Sequence, residues 1–233
     1  MIMGFKIKLV ILGQMENADQ KYLRSLIAGG EHQQLDFKFE INDARKIART
    51  FSAFSNTDGG SLLIGVKDNG RISGVRSDEE YYMAESAASL YCTPEVLFKP
   101  RNYQIDGKSV LEIYIPPVSM RPVYARDPQN RWMAYIRVKD ENILASVVQL
   151  EVWKEEHKPR GKLLEFTHSE EFLLKYLEKV PGSGLRKIQQ DTGFRRKELV
   201  SLLTKLVLFD VVEMQFLEGR NRYMLREKPG EST

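Results

Sequence analysis

A run of three cations, Arg195-Arg196-Lys197, stands where the sequence pattern places the start of a helix. The segment Lys197–Leu208 carries Leu199, Leu202, Leu203 and Leu206 at helical spacing, and Gly193 supplies a sharp turn just before it. Arg186 and Lys187 lie on the preceding short helical segment, and Arg220 and Arg222 lie at the tip of a terminal hairpin. Guanidinium and ammonium groups in these places can hold phosphates while a helix end enters the major groove of DNA. A cation at a helix N-terminus is opposed by the macrodipole, which favours a functional reason for the run. Acidic residues gather elsewhere, at Glu170, Glu171 and Glu178. Basic residues at a helix start are also common on solvated surfaces, and modules of this shape can serve only to bind another protein.

Smaller candidates lie nearer the N-terminus. Gly59-Gly60 allow positive φ and close backbone approach, which a bound phosphate or an ordinary helix-to-strand turn would need. The turn is the preferred reading, with Asn56 and Asp58 capping and bracing it. By two-residue alternation Lys38 shares a strand face with Asp36 and Glu40, so it can bind phosphate or pair with those acids on a wet sheet face. No G-x-x-x-x-G-K-[ST] loop is present, so nucleotide (ATP) binding lacks the feature that cradles a triphosphate. The single cysteine, Cys92, can form no internal disulfide and reads as a small buried residue. Three histidines (His32, His157, His168) without an H-x-x-x-H pair argue against zinc, and no cofactor is expected on these grounds. Tyr81, Tyr82, Tyr91, Tyr103, Trp132 and Tyr135 could stack on unpaired bases, but fit a core and a dimer seam better.

These residues need a scaffold, and 233 residues with 42% hydrophobic and 29% charged content suit one large or two modest folded domains. A net charge of +3 is too small to imply a polyanion partner, so local clustering has to carry that argument. The stretch Phe5–Leu12 is apolar but short and interrupted by Lys6 and Lys8. A membrane span needs ~20 apolar residues, and a secretory signal needs a longer unbroken run. The stretch reads as a strand, or as an upstream extension if Met15 is the true start. The expectation is a cytoplasmic protein with no membrane association.

Helices are expected over Ala18–Ala28, from Asn42 or Asp43 through Phe54, and over Asp78–Tyr91. Strands are expected at Leu35–Glu40 (one buried face), Ser61–Val66, Arg71–Val75, Tyr103–Ile105, Val110–Ile115 and Trp132–Lys139. Asp106-Gly107 and Lys67–Gly70 mark hairpin turns. Glu155–Gly161 is polar and reads as a boundary. Beyond it come helices at Glu170–Val180, Leu185–Thr192 and Lys197–Leu208, then strands at Val211–Leu217 and Arg222–Leu225. That order is the order of a winged helix-turn-helix. The expected fold class is α+β, with domains at 1–157 (core about 17–150) and 163–228.

Three segments combine into a pattern: Glu31-His-Gln-Gln-Leu-Asp-Phe-Lys38, Phe51–Gly60 (FSAFSNTDGG) and Leu63-Ile-Gly-Val-Lys-Asp-Asn-Gly70. Together they resemble the Schlafen AlbA-like family, and Arg121-Pro-Val-Tyr124 with Ala134-Tyr-Ile-Arg-Val138 looks like two later segments of it. The likeness runs roughly from Ile27 to Val148 and implies an AlbA-like mixed sheet with helices. Bacterial members often carry a C-terminal winged helix, and AlbA-like domains pair, which implies a homodimer. Nuclease members use an acidic trio whose matching positions here are Glu31, Asp36 and Asp68, with Asp36 one methylene shorter than the usual glutamate. Converging carboxylates would repel unless a hard cation such as Mg²⁺ or Mn²⁺ neutralised them, and that cation could activate water against RNA. Asp68 also suits a plain hairpin turn, and Glu31 an exposed place after Gly30.

The reading that follows is a DNA-binding protein, a transcriptional regulator, with DNA preferred over RNA as partner. In it the first domain dimerises or holds the backbone and the second enters the groove. The alternatives are a metal-dependent endoribonuclease using the acidic trio, with Lys38 steadying phosphate, and a nucleotide-binding or protein-interaction module.

Overall fold

The computed structural model describes residues 18–158 and 166–227. The Phe5–Leu12 stretch and residues 159–161 of the Glu155–Gly161 boundary segment lie outside the described residues. The chain divides into two compact units between Ile143 and Leu144.

The first unit begins with α1 (Ala18–Ala28), β1 (Leu35–Lys38), α2 (Ala44–Asn56) and β2 (Gly60–Ile64). It continues through α3 (Glu79–Leu90), β3 (Cys92–Thr93), β4 (Lys99–Ile105), β5 (Lys108–Ile115), β6 (Tyr124–Arg126), β7 (Trp132–Val138) and β8 (Glu141–Leu144). One four-stranded sheet has the order β1-β2-β5-β4, and a second has the order β3-β6-β7-β8. β1 and β2 are parallel because the helix α2 crosses between them, whereas β2, β5 and β4 run antiparallel.

Asp43 caps α2, its carboxylate accepting from the Arg45 N–H at 2.9 Å. The helix is buried around most of its circumference, since Ile47, Phe51 and Phe54 pack on the first sheet while its other side meets Ala125 and Tyr135 of the second. Leu23 of α1 closes the opposite face of the first sheet over Leu35, Phe37, Leu63 and Val110. A sheet covered on both faces explains the unbroken apolar run of β2. It also corrects the expectation for β1, where Leu35, Asp36 and Phe37 are all buried and Asp36 faces no solvent. Arg71–Val75 forms no ladder beyond a single Val66–Ile72 bridge. Gly65 (φ +93°) and Gly74 (φ +83°) are pressed together there, and both Ser73 and Gly74 N–H groups donate to the Gly65 carbonyl at 2.8 and 2.9 Å. The chain therefore turns at that point and does not extend.

The second unit holds α4 (Val147–Glu156), α5 (His168–Lys179), α6 (Leu185–Thr192), α7 (Arg196–Leu208), β9 (Val212–Leu217) and β10 (Arg220–Leu225). Leu173, Leu177, Ile188, Leu199, Leu203 and Leu206 form its centre, closed by Val212 and Tyr223 of the antiparallel hairpin. The Tyr223 N–H donates to the Ser183 carbonyl at 3.0 Å and ties the hairpin to the loop before α6. Helix α4, which falls inside the 1–157 domain expected from the sequence, packs by Val148 and Val152 into this second core. Among the described residues no helix is long and apolar enough to cross a membrane.

Candidate nucleic-acid interface

The α6–α7 turn is built as its sequence requires. Gly193 ends α6 in the left-handed region (φ +74°), where its N–H donates to the Gln189 carbonyl at 3.0 Å. Phe194 then packs edge-on against Phe172 with ring centroids 5.8 Å apart, which fixes the angle at which α7 departs. Arg195 occupies the N-cap with extended backbone and no side-chain cap bond, so the first-turn N–H groups of α7 are left without a side-chain cap. Arg195, Arg196 and Lys197 are exposed, and Glu198 is the acid of that turn.

The expected cations fall into two groups. Arg186, Arg195, Arg196, Lys197 and Arg220 have no acidic partner among the described residues. Lys187 is held by Asp191 at 2.8 Å, and Asp191 also accepts from the Tyr176 hydroxyl at 2.7 Å. The hydrogen bond that the Lys187 ammonium donates to Asp191 pushes its pKa upward, so Lys187 stays charged. Arg222 reaches Glu218 and the Gly182 carbonyl, each at 3.4 Å. The hairpin turn is tighter than expected: Glu218 (φ +50°) and Gly219 (φ +72°) make it, so Arg220 opens β10 and Arg222 sits one step below the tip, half-buried.

In the first unit, the candidate phosphate and metal residues have structural occupations. Arg137 of β7 lies fully buried and spreads its guanidinium over the Phe54 ring at 5.1 Å. It donates to Asp36 at 3.2 Å, to the Leu35 carbonyl at 3.1 Å, to the Asn142 side chain at 3.0 Å and to the His32 carbonyl at 3.4 Å. Lys38 closes the other Asp36 oxygen at 2.9 Å and donates to the Phe37 carbonyl at 2.7 Å. Glu31 accepts from the Phe37 N–H at 2.8 Å. Burial pushes the Glu31 carboxyl upward, the neighbouring Asp36 carboxylate adds to that, and the Phe37 N–H opposes it.

Glu31 and Asp36 therefore come together, and Arg137 and Lys38 balance them without a metal ion. Asp68 is exposed on the turn after β2, where the Gly70 N–H donates to the Lys67 carbonyl at 2.7 Å. Among the described residues no group of three or more His, Cys, Asp or Glu side chains could hold a metal ion. The acidic trio thus does not form a fit donor set for Mg²⁺ or Mn²⁺.

The glycines are packing residues. A Cβ on Gly59 (φ +70°) would stand 2.7 Å from Pro117 Cδ and 2.8 Å from the Ile115 carbonyl. One on Gly60 would stand 2.7 Å from Phe54 and 2.8 Å from the Gln34 carbonyl. Asn56, expected to brace its own turn, instead reaches across the unit. Its amide donates to the Val123 and Tyr135 carbonyls at 2.8 and 3.0 Å and accepts from the Val123 N–H at 2.7 Å. Asp58 accepts from Gln33 at 2.9 Å. Of the aromatic residues, Tyr103 and Tyr135 are buried, while Tyr82 and Trp132 are exposed. Burial pushes the Cys92 thiol up to about 12, which removes it as a nucleophile near neutrality.

Sequence reasoning missed Arg137 as the centre of this network. The available signal was its phase, because alternation along β7 sets Arg137 on the inward face with Tyr135.

Residues 31–146 match the family described as Schlafen, AlbA_2. No curated protein matches the chain. Among solved structures it is similar to the DIP2311 protein from Corynebacterium diphtheriae, at 19% identity over 63% of this chain, with a TM-score of 0.42. The chain spans 30% of the length of that protein. It is also similar to the N-terminal domain of a RecG-related protein from Nitrosomonas europaea, at 20% identity over 66% of this chain and 97% of that one, with a TM-score of 0.39. Neither likeness carries a functional argument.

Proposed function

We propose that the protein binds duplex DNA through its second unit, acting as a winged helix-turn-helix. The observation that carries this is the set of exposed cations around the N-terminal end of α7, where Arg195, Arg196 and Lys197 have no acidic partner. In the reading, α7 enters the major groove by that end, Arg186 on α6 takes a neighbouring phosphate, and Arg220 reaches along the backbone from the hairpin wing. The uncapped N–H groups of the α7 first turn add donors for the same phosphates. Lys187 and Arg222, already engaged, contribute less.

The match to the Schlafen, AlbA_2 family supports a nucleic-acid-related role for the first unit. We extend the reading to a transcriptional regulator that acts as a homodimer, since two half-sites double the groove contacts. The engagement of Asp36 by Arg137 and Lys38 supports this over the endoribonuclease alternative. The test is retention of labelled duplex DNA by the purified protein across a salt series, read together with the mass of the complex. Salt-sensitive retention with two chains per duplex supports the reading. Retention of single-stranded RNA in preference to duplex, or no retention at low salt, overturns it.

A further inference from the structure

Helices α4 and α7 of the second unit leave between them an open groove of about 880 Å³. That lies within the usual size range of small-molecule sites, roughly 300–1,000 Å³. Its walls are largely apolar, with Val147 from α4 and Val200, Leu208 and Phe209 from α7 and its end. Val147 is 39% exposed, so an apolar surface stands uncovered.

The charges on its rim do not cancel. Glu155 is paired with Lys158 at 2.7 Å, Glu151 with Lys154 at 2.6 Å, and Lys205 with Glu170 at 2.6 Å. Arg196 and Lys197, which line the groove at the start of α7, are left without an acidic partner among the described residues. The groove therefore offers an apolar floor with two unneutralised cations at one end.

We propose that this groove binds a small amphipathic carboxylate. The head sits on Arg196 and Lys197, and the apolar tail lies along Val200 toward Leu208. At a helical rise of 1.5 Å per residue, the path from Lys197 to Leu208 measures about 16 Å, enough for a chain of roughly ten carbons. The ligand and a DNA phosphate call on the same two cations, so the carboxylate competes with DNA wherever DNA binds there. The site itself does not depend on the DNA reading.

The experiment is isothermal titration calorimetry of the full chain with decanoate, kept below micelle formation, with decanol and butyrate as comparison probes. Saturable binding of one decanoate per chain is expected, at least tenfold tighter than decanol or butyrate. The double variant Arg196→Ala/Lys197→Ala, which changes only exposed side chains, should lose at least tenfold for decanoate and nothing for decanol. No saturable decanoate binding, equal binding of decanol, or an undiminished affinity in the double variant would each overturn the proposal. Because calorimetry is done without DNA, its outcome stands apart from the fate of the DNA reading.

Discussion

Arg137 and Asp36, 101 residues apart in sequence, meet at 3.2 Å in the interior of the first unit, their side chains 1% and 5% exposed. The pair joins β7 of the second sheet to β1 of the first, with Phe54 of α2 against the guanidinium face. Removing one member of a buried pair leaves an uncompensated charge, whereas the pair as a whole adds little net stability. Arg137→Met should therefore destabilise the protein by about 3–5 kcal/mol, while Asp36→Asn, which keeps an acceptor for Arg137, should cost less. Urea denaturation of both single variants and the double variant checks this. The double variant should lose less than the sum of the singles.

The occupation of Asp36 also bears on chemistry. Purified protein should leave labelled single-stranded RNA intact whether Mg²⁺ or Mn²⁺ is present or absent, and Asp36→Asn should change stability alone. Metal-dependent cleavage lost in Asp36→Asn would restore the nuclease reading.

Gly59→Ala should destabilise by about 2 kcal/mol or more, because the residue combines positive φ with a collision against the Ile115 carbonyl. Its duplex DNA affinity, measured where the variant is still folded, should stay unchanged. Inorganic phosphate should not raise the melting temperature of the wild type. A phosphate-dependent rise that Gly59→Ala abolishes would make the loop a binding site.

Glu170 gives the second unit a defined pH dependence. Burial alone would raise its carboxyl, but the Lys205 ammonium at 2.6 Å and the Thr167 hydroxyl and N–H outweigh that and hold it at about 2. A carboxyl lowered in the folded state stabilises fully above its ordinary value of 4.5 and loses that contribution as pH falls toward 2. The contribution is on the order of 3 kcal/mol. Acid denaturation of Glu170→Gln should begin from a lower neutral-pH stability and show a flatter fall between pH 4.5 and 2 than the wild type. Parallel curves would contradict the assignment.

The parts of the fold legible in the sequence were those whose pattern is local. The leucines of α7, the Gly193 turn, the Asp106-Gly107 hairpin and the Asp43 cap all state their role within a few residues. The misread parts depend on distant partners. Asp36 looks like the polar face of an edge strand until Arg137 arrives from a hundred residues away. Asn56 looks like a turn residue until the Val123 backbone is laid against it. Helix α4 stands among none of the helices expected from the sequence, since its short buried face of Val148, Val152 and Trp153 runs straight into the polar segment that begins at Glu155. The cations of the candidate interface were named from sequence, but which of them were already paired required the positions of Asp191 and Glu218.

The most direct test of the central claim is the salt dependence of duplex DNA affinity for the wild type and for Arg195→Ala/Arg196→Ala/Lys197→Ala. If the three cations each neutralise a phosphate, the triple variant should bind weakly at every salt concentration. Its log–log slope should be shallower by about 3, with urea stability unchanged. An unchanged affinity and slope in a folded triple variant would contradict the account, and α7 would no longer be its groove-binding helix.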